Sequence, residues 1–307
     1  MRLRLTFGPI LILLLLGLMW LDGYLDRTQA GVNWAVLVDA DGTFRPGLPL
    51  ILVGLLICGR AGYELRQMFA AKGLQASAKS LTFCSAAGLL AGVLTIGPQN
   101  QVPISHDYTA AVLATAAAAA VFLTMLAFLR HKDPKGAGGA VASAITAFTY
   151  VGLTLAFMMA IRREYAVWVM VLVVLTIKAC DSGAYFTGKS IGRHKLIPWL
   201  SPGKTWEGLI GGLVCAALCG FLFKSLGGKW GPDIIRHVPT WQWIVFGLLL
   251  GGFGQLGDLS ASVFKRDAGI KDSGAILPGF GGMIDMLDSL LLTGPIAYWM
   301  LHLIARP

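Results

Sequence analysis

Nine apolar runs divide the chain, at 5–21, 47–65, 81–97, 108–129, 140–161, 165–186, 207–224, 242–263 and 284–304. Each has the roughly 17–25 residues that a helix needs to cross a hydrocarbon core. In that medium a spanning segment must satisfy its own backbone donors and acceptors, so the runs predict helices rather than open strands. The first run follows Met1-Arg2-Leu3-Arg4 and ends in Leu18-Met19-Trp20-Leu21-Asp22. It lacks the small-residue cleavage pattern of a secretory signal and is read as a span. The pattern predicts an all-α, polytopic integral membrane protein with about nine transmembrane helices. No tandem repeat or soluble module interrupts it, so residues 1–307 are read as a single membrane domain, less distinctive over 1–150.

Composition supports this class: 56% of residues are hydrophobic, 13% are charged and the mean hydropathy is +0.69. A soluble domain carries about 25% charged residues. The formal charge of +9 would suit nucleic acid in a soluble protein, but no basic soluble module is present and no nucleic-acid partner is expected. In a membrane protein the excess belongs to cytoplasmic loops and to anionic headgroups or phosphates. With the N-terminus inside, 17 of the 25 Lys and Arg residues fall in inner segments. This predicts a cytoplasmic N-terminus, an outside C-terminus and cytoplasmic loops at 181–206 and 258–284, where both meet cytosolic nucleotide. Cys58, Cys84, Cys180, Cys215 and Cys219 lie mostly in apolar runs without C-x-x-C spacing and read as small core residues.

The polar residues that break the apolar pattern concentrate in two stretches. Asp258 closes the eighth run, and Ser262 and Lys265 follow at i+4 and i+7, on one face if the helix continues. Asp285 and Asp288 share a face at the start of the ninth. Between them, 267–283 carries Gly269, Gly274, Pro278, Gly279, Gly281 and Gly282, a turn-rich hairpin suited to bringing the two helix ends together. Two like charges about 4 Å apart repel by roughly 4 kcal/mol at an effective dielectric of 20. Three clustered carboxylates therefore call for a cation or for raised carboxyl pKa values, and hard oxygen ligands suit Mg²⁺ with a phosphate substrate. The second stretch, 180–208, offers Asp181, Tyr185, Lys189, Arg193, His194, Lys195 and Lys204, with Ser201-Pro202 expected to start the next helix and Trp206 and Glu207 marking entry to the seventh run.

Plainer explanations apply to several residues. Arg60, Arg66, Lys72, Lys132 and Lys135 fit the inside-positive rule. A structural ion pair is an open alternative for Asp258 or Asp285. His194 has no His or Cys at ligand spacing, and Ser182, Ser201, Ser262 and Ser273 establish no Ser-His-Asp chemistry. Gly252, Gly254 and Gly257 satisfy G-x-G-x-x-G, but inside an apolar run without a preceding strand they read as helix packing. Gly203-Lys204-Thr205 resembles the end of a P-loop, yet Pro198 stands where its first Gly is needed.

Ser262-x-x-Lys265-Arg266, then Lys271-Asp272-x-Gly274, then Pro278-x-x-Gly281-Gly282-x-x-Asp285-x-x-Asp288 closely resembles the signature of the phosphatidate cytidylyltransferases, or CDP-diacylglycerol synthases. DSGAYFTGK, SPGKTWEG and GDLSASVFKR look similar as well, so the resemblance covers roughly 150–304 and marks 151–307 as a catalytic core. Tyr150-Val151-Gly152-Leu153 and the Glu64 region fit more loosely. The resemblance implies an all-helical, often homodimeric membrane enzyme of phospholipid biosynthesis that converts CTP and phosphatidate into CDP-diacylglycerol and pyrophosphate with Mg²⁺, a second cation being left open. It implies Asp258, Asp285 and Asp288 at the metal, and Lys204, Lys265, Arg266 and Lys271 on phosphates, with Asp181 and Ser262 as secondary candidates. Asp258, Lys265, Arg266, Asp285 and Asp288 would form the catalytic set. Two positions depart from the family: Phe280 stands where it usually has His, and Met286 where it usually has Arg. The rival readings are another CTP-dependent membrane enzyme, such as a polyprenol kinase, and a transporter.

Overall fold

The computed structural model of the protein describes residues 2–25, 47–97, 104–129, 135–227, 233–274 and 281–305. The helices are α1 (Arg2–Leu25), α2 (Leu48–Ala71), α3 (Ala78–Thr95), α4 (Thr109–Leu129), α5 (Ala137–Thr146), α6 (Thr154–Glu164), α7 (Val167–Ile191), α8 (Trp206–Gly227), α9 (Asp233–His237), α10 (Thr240–Asp267) and α11 (Met283–Ile304). A π-helical segment, Ala147–Leu153, joins α5 to α6, and a short antiparallel pair, β1 (Lys195–Ile197) and β2 (Ser201–Thr205), precedes α8. Among the described residues eight helical segments, with α5 and α6 counted as one through the π turn, are long and apolar enough to cross a membrane. The protein is thus all-α and polytopic, as the apolar runs predict. Residues 275–280, with Pro278, Gly279 and Phe280 of the expected hairpin, lie outside the described residues.

The chain forms two compact units, one of Met1–Val167 with Asp267–Met286 and the other of Trp168–Arg266 with Leu287–Pro307. In the first, α3 is the hub and packs on α2, α4, α5, the π segment and α6. Small residues set the approach, as expected where van der Waals contact rather than water drives helix association. A Cβ on Gly88 would stand 2.3 Å from the Phe148 carbonyl oxygen, and one on Gly152 would stand 2.1 Å from that of Ser85. Neither position admits a side chain. Where the π segment returns to α-helix, the Thr154 hydroxyl donates to the Tyr150 carbonyl at 2.6 Å, capping an acceptor at the altered turn.

The same unit buries two arginines at the end of an apolar span. Arg162 pairs with Asp22 of α1, both almost fully enclosed, and Arg163 donates to the Val93 carbonyl. Their partners come from distant helices, which explains how charges at the end of an apolar span are tolerated.

In the second unit, α7, α8 and α10 approach through the same device. A Cβ on Gly220 would meet the Trp243 carbonyl oxygen at 2.2 Å, one on Gly247 that of Ala216 at 2.3 Å, and one on Gly183 the Cys215 sulfur at 2.5 Å. The structure corrects one expectation here. Ser201-Pro202 does not start a helix: Ser201 pairs with Ile197 in the hairpin, and α8 begins at Trp206. Thr205 supplies the cap instead, its hydroxyl accepting from the Gly208 amide at 3.1 Å.

Removal of one partner from a buried ion pair costs about 3–5 kcal/mol, whereas an apolar replacement of both is often close to neutral. Asp22→Ala should therefore lower the thermal unfolding midpoint in detergent substantially, and Asp22→Leu combined with Arg162→Met should recover most of the loss. A double variant as damaged as the single one would mean that the pair's charge is not the source of the effect.

Candidate active site

α10 and the Leu287–Pro307 part of α11 meet closely at Gly257. A Cβ there would lie 2.6 Å from the Asp288 carbonyl oxygen and 3.2 Å from the Ser289 Cα, so the two backbones touch where a side chain would hold them apart. Gly254 faces Ser289 and Thr293 on the same side. These are two of the three glycines of the G-x-G-x-x-G match, and their use is helix packing. The next residue along α10 is Asp258, and the contact brings its carboxylate to that of Asp288. Each lies within electrostatic reach of the other and of Lys265, which is only 8% exposed.

Cations neutralise the pair. Lys204 Nζ stands 2.8 Å from Asp258 Oδ2 and also donates to the Gln255 carbonyl at 3.3 Å. Lys204 reaches α10 because the β1–β2 hairpin, with Lys195 opposite Thr205, carries it back beside the start of α8. Gln255 donates from Nε2 to Asp181 Oδ1 at 3.1 Å, and Asp181 Oδ2 pairs with Lys178 at 3.2 Å. A relay of Lys178, Asp181, Gln255, Lys204 and Asp258 thus joins α7, β2 and α10. Asp288 Oδ1 accepts from the Ser289 amide at 2.6 Å and hydroxyl at 3.2 Å.

Around this cluster, Ser262 lies half-buried one turn beyond Asp258, and Arg266 is exposed, donating from Nε to the Leu200 carbonyl at 3.3 Å. Lys189 sits 5.8 Å from the centre of the Tyr185 ring. His194 has a partner after all, Glu207: Nδ1 lies 2.6 Å from Oε1, and the same carboxylate receives the His194 amide.

The remaining signature residues belong to the first compact unit. Asp285 Oδ2 accepts from the Ser273 amide at 2.7 Å, the Gly282 amide at 2.9 Å and the Ser273 hydroxyl at 3.1 Å. Gly281 has φ of +81°, and a Cβ there would lie 2.5 Å from Asp285 Oδ2, so both conformation and space require glycine. Lys271 and Asp272 are exposed, and Met286 is half-buried on α11. Phe280 lies outside the described residues.

Among the described residues no three Asp, Glu, His or Cys side chains gather as a metal-holding group. The donor chemistry of Asp258 and Asp288 nevertheless fits a hard divalent cation: two carboxylates on a rigid helix contact, their charge now offset by Lys204 and Lys265. Asp285 differs, since its Oδ2 would have to trade three donors for a cation.

Two participants escape sequence reading. Gln255 is a polar residue inside GGFGQLGD, where the glycines dominate the pattern, and Lys178 reads as one more inside-positive charge. The signal available for both is a polar side chain within a span.

Proteins similar to this chain include phosphatidate cytidylyltransferases from three bacteria. That of Bacillus subtilis (strain 168) is 40% identical over 156 residues, 50% of this chain and 55% of the relative. That of Staphylococcus aureus (strain COL) is 44% identical over 152 residues, 48% and 54% respectively, and that of Haemophilus influenzae is 37% identical over 131 residues, 43% and 44%. The chain spans about half the length of the curated relatives it matches. A model of the cytidylyltransferase family matches much more of it, residues 28–304, and by that match the chain belongs to the cytidylyltransferase family.

Proposed function

We propose that this protein is a Mg²⁺-dependent phosphatidate cytidylyltransferase, which transfers the cytidylyl group of CTP to phosphatidate and releases pyrophosphate. The observation that carries the proposal is the Asp258–Asp288 carboxylate pair, held between Lys204 and Lys265 in membrane-spanning helices of a cytidylyltransferase-family chain. A structural ion pair needs one acid and one base. Two acids brought together by a glycine contact and balanced by two lysines form an arrangement suited to polyanions and a cation.

In the proposed reaction a phosphate oxygen of phosphatidate attacks the α-phosphorus of CTP. The new P–O bond forms as the bond from the α-phosphorus to the bridging oxygen breaks, and pyrophosphate leaves with that electron pair. No protein nucleophile is required. Asp258 and Asp288 would hold Mg²⁺, which when bound neutralises triphosphate charge and stabilises the departing pyrophosphate. Lys204 and Lys265 bind phosphate oxygens and meet the negative charge that grows in the transition state, where preorganised donors act most strongly. The relay through Gln255 and Asp181 holds Lys204 in direction before substrate arrives. Ser262 and Arg266 flank the same stretch of α10 as further phosphate contacts.

Purified protein given labelled CTP, phosphatidate and Mg²⁺ should yield CDP-diacylglycerol and pyrophosphate. Formation of CDP with a phosphorylated lipid would instead identify a CTP-dependent kinase and overturn the proposal. Asp288→Asn should lower kcat by at least about 100-fold, the scale for losing one transition-state contact, while the unfolding midpoint stays near that of the parent; Lys204→Ala should lower kcat on the same scale and also lower the midpoint, because Asp258 loses its cation. Near-parental rates in both would remove the cluster from the chemistry.

The inside-positive charge asymmetry of the loops supports a cytoplasmic face for this chemistry. Cysteines introduced at the exposed Lys195 and Asp272 should resist impermeant maleimide in intact cells and react after lysis. Labelling of either in intact cells would reverse the proposed orientation.

A further inference from the structure

We infer that Glu64 is the positioning residue of signature residues 271–274 and 281–286, a carboxylate supplied by α2 in place of the N-cap side chain that Gly282 lacks. The first amides of a helix have no partner within it, and a capping side chain normally receives them. Gly282, the residue before α11, has no side chain to offer. Glu64 takes over from another helix: Oε1 accepts from the Met283 amide at 2.7 Å and Oε2 from the Ile284 amide at 2.9 Å. Oε2 also receives the Ser273 hydroxyl at 2.8 Å, and Arg60 Nε lies 3.2 Å from Oε1. Asp285 completes the arrangement as the third helical residue, reaching back to the Gly282 amide as the acidic member of a capping box does.

Full burial marks Glu64 as more than a surface cap. Its side chain is 0% exposed in a helix that is otherwise apolar enough to span a membrane, where an acid is costly unless its charge is used. The glycines of the signature bear its imprint. A Cβ on Gly282 would fall 2.4 Å from Glu64 Oε2 and 2.2 Å from the Ser273 hydroxyl, and one on Gly274 would fall 3.0 Å from Glu64 Oε1. Gly274, Gly282, Ser273 and Asp285 therefore adopt their places around one carboxylate that lies 209 residues before Ser273 in the chain. Glu64 touches no proposed reacting atom. Its action is to hold residues 271–274 against the start of α11, and the negative charge it sets there is favourable.

The test has one arm independent of activity and one that rests on the proposed cytidylyltransferase reaction. In full-length detergent-solubilised protein, Glu64→Gln keeps the shape but loses an acceptor, and hydrogen exchange at the Ser273, Met283 and Ile284 amides should accelerate about tenfold or more. Exchange in α3 should be unchanged. Gly282→Ala, which pushes a methyl group at an intact Glu64, should give the same local acceleration and covers the case in which Glu64→Gln does not fold. In the kinetic arm, Glu64→Gln should raise KM for CTP and lower kcat at an unaltered unfolding midpoint, and Glu64→Asp should restore part of both. Acceleration spread evenly over α2 and α3, or none at 281–286 in either variant, would overturn the inference whatever the reaction proves to be. Altered exchange at 281–286 with unchanged KM and kcat would reduce Glu64 to a structural cap and also overturn it.

Discussion

Lys204 Nζ stands 2.8 Å from Asp258 Oδ2, and this contact makes a carboxylate at the end of an apolar helix affordable. A lone charge in such surroundings costs several kcal/mol, and a second carboxylate beside it adds repulsion. Asp258 and Asp288 coexist because Lys204 and Lys265 offset them, and Lys204 is in turn held by the Gln255 carbonyl. Much of the second unit's local structure serves this balance. The hairpin turns the chain so that a β-strand lysine reaches α10, and Asp181 with Lys178 extends the polar relay into α7.

Close backbone approach is the complementary constraint. Apolar helices among lipids gain little from hiding hydrophobic surface from one another, so they associate where small residues permit dense contact. Gly257 serves packing and chemistry together: its contact with the Asp288 main chain both seats α10 on α11 and sets the two acids side by side. Gly88 and Gly152 perform the packing role alone in the first unit. Many of the described glycines thus record helix contacts rather than loops.

The first unit treats buried charge by recruiting partners from far along the chain. Arg162 finds Asp22 on α1, Arg163 finds a carbonyl on α3, and Glu64 finds the first amides of α11. Buried pairs of this kind are weak contributors to net stability but are costly to break, and so they constrain which arrangement of helices is acceptable. Of the acids in the resembling signature, Asp288 stands in the carboxylate pair while Asp285 binds the Ser273 and Gly282 amides, a division that three-residue spacing on one helix does not reveal.

The sequence by itself determined the class and the family. Runs of about 20 apolar residues admit only helices in a bilayer, and signature spacing from Ser262 to Asp288 needs no tertiary contact to be recognised. It also identified Asp258, Asp288, Lys204 and Lys265 as unusual, since a charge among apolar residues stands out in one dimension. Pairing was decided only in three dimensions. Which cation offsets Asp258, why Ser201-Pro202 lies in a strand, and what Glu64 does all depend on residues tens to hundreds of positions apart. Hydrogen bonds and glycine contacts act over a few ångströms of space, and a one-dimensional pattern carries no measure of that distance.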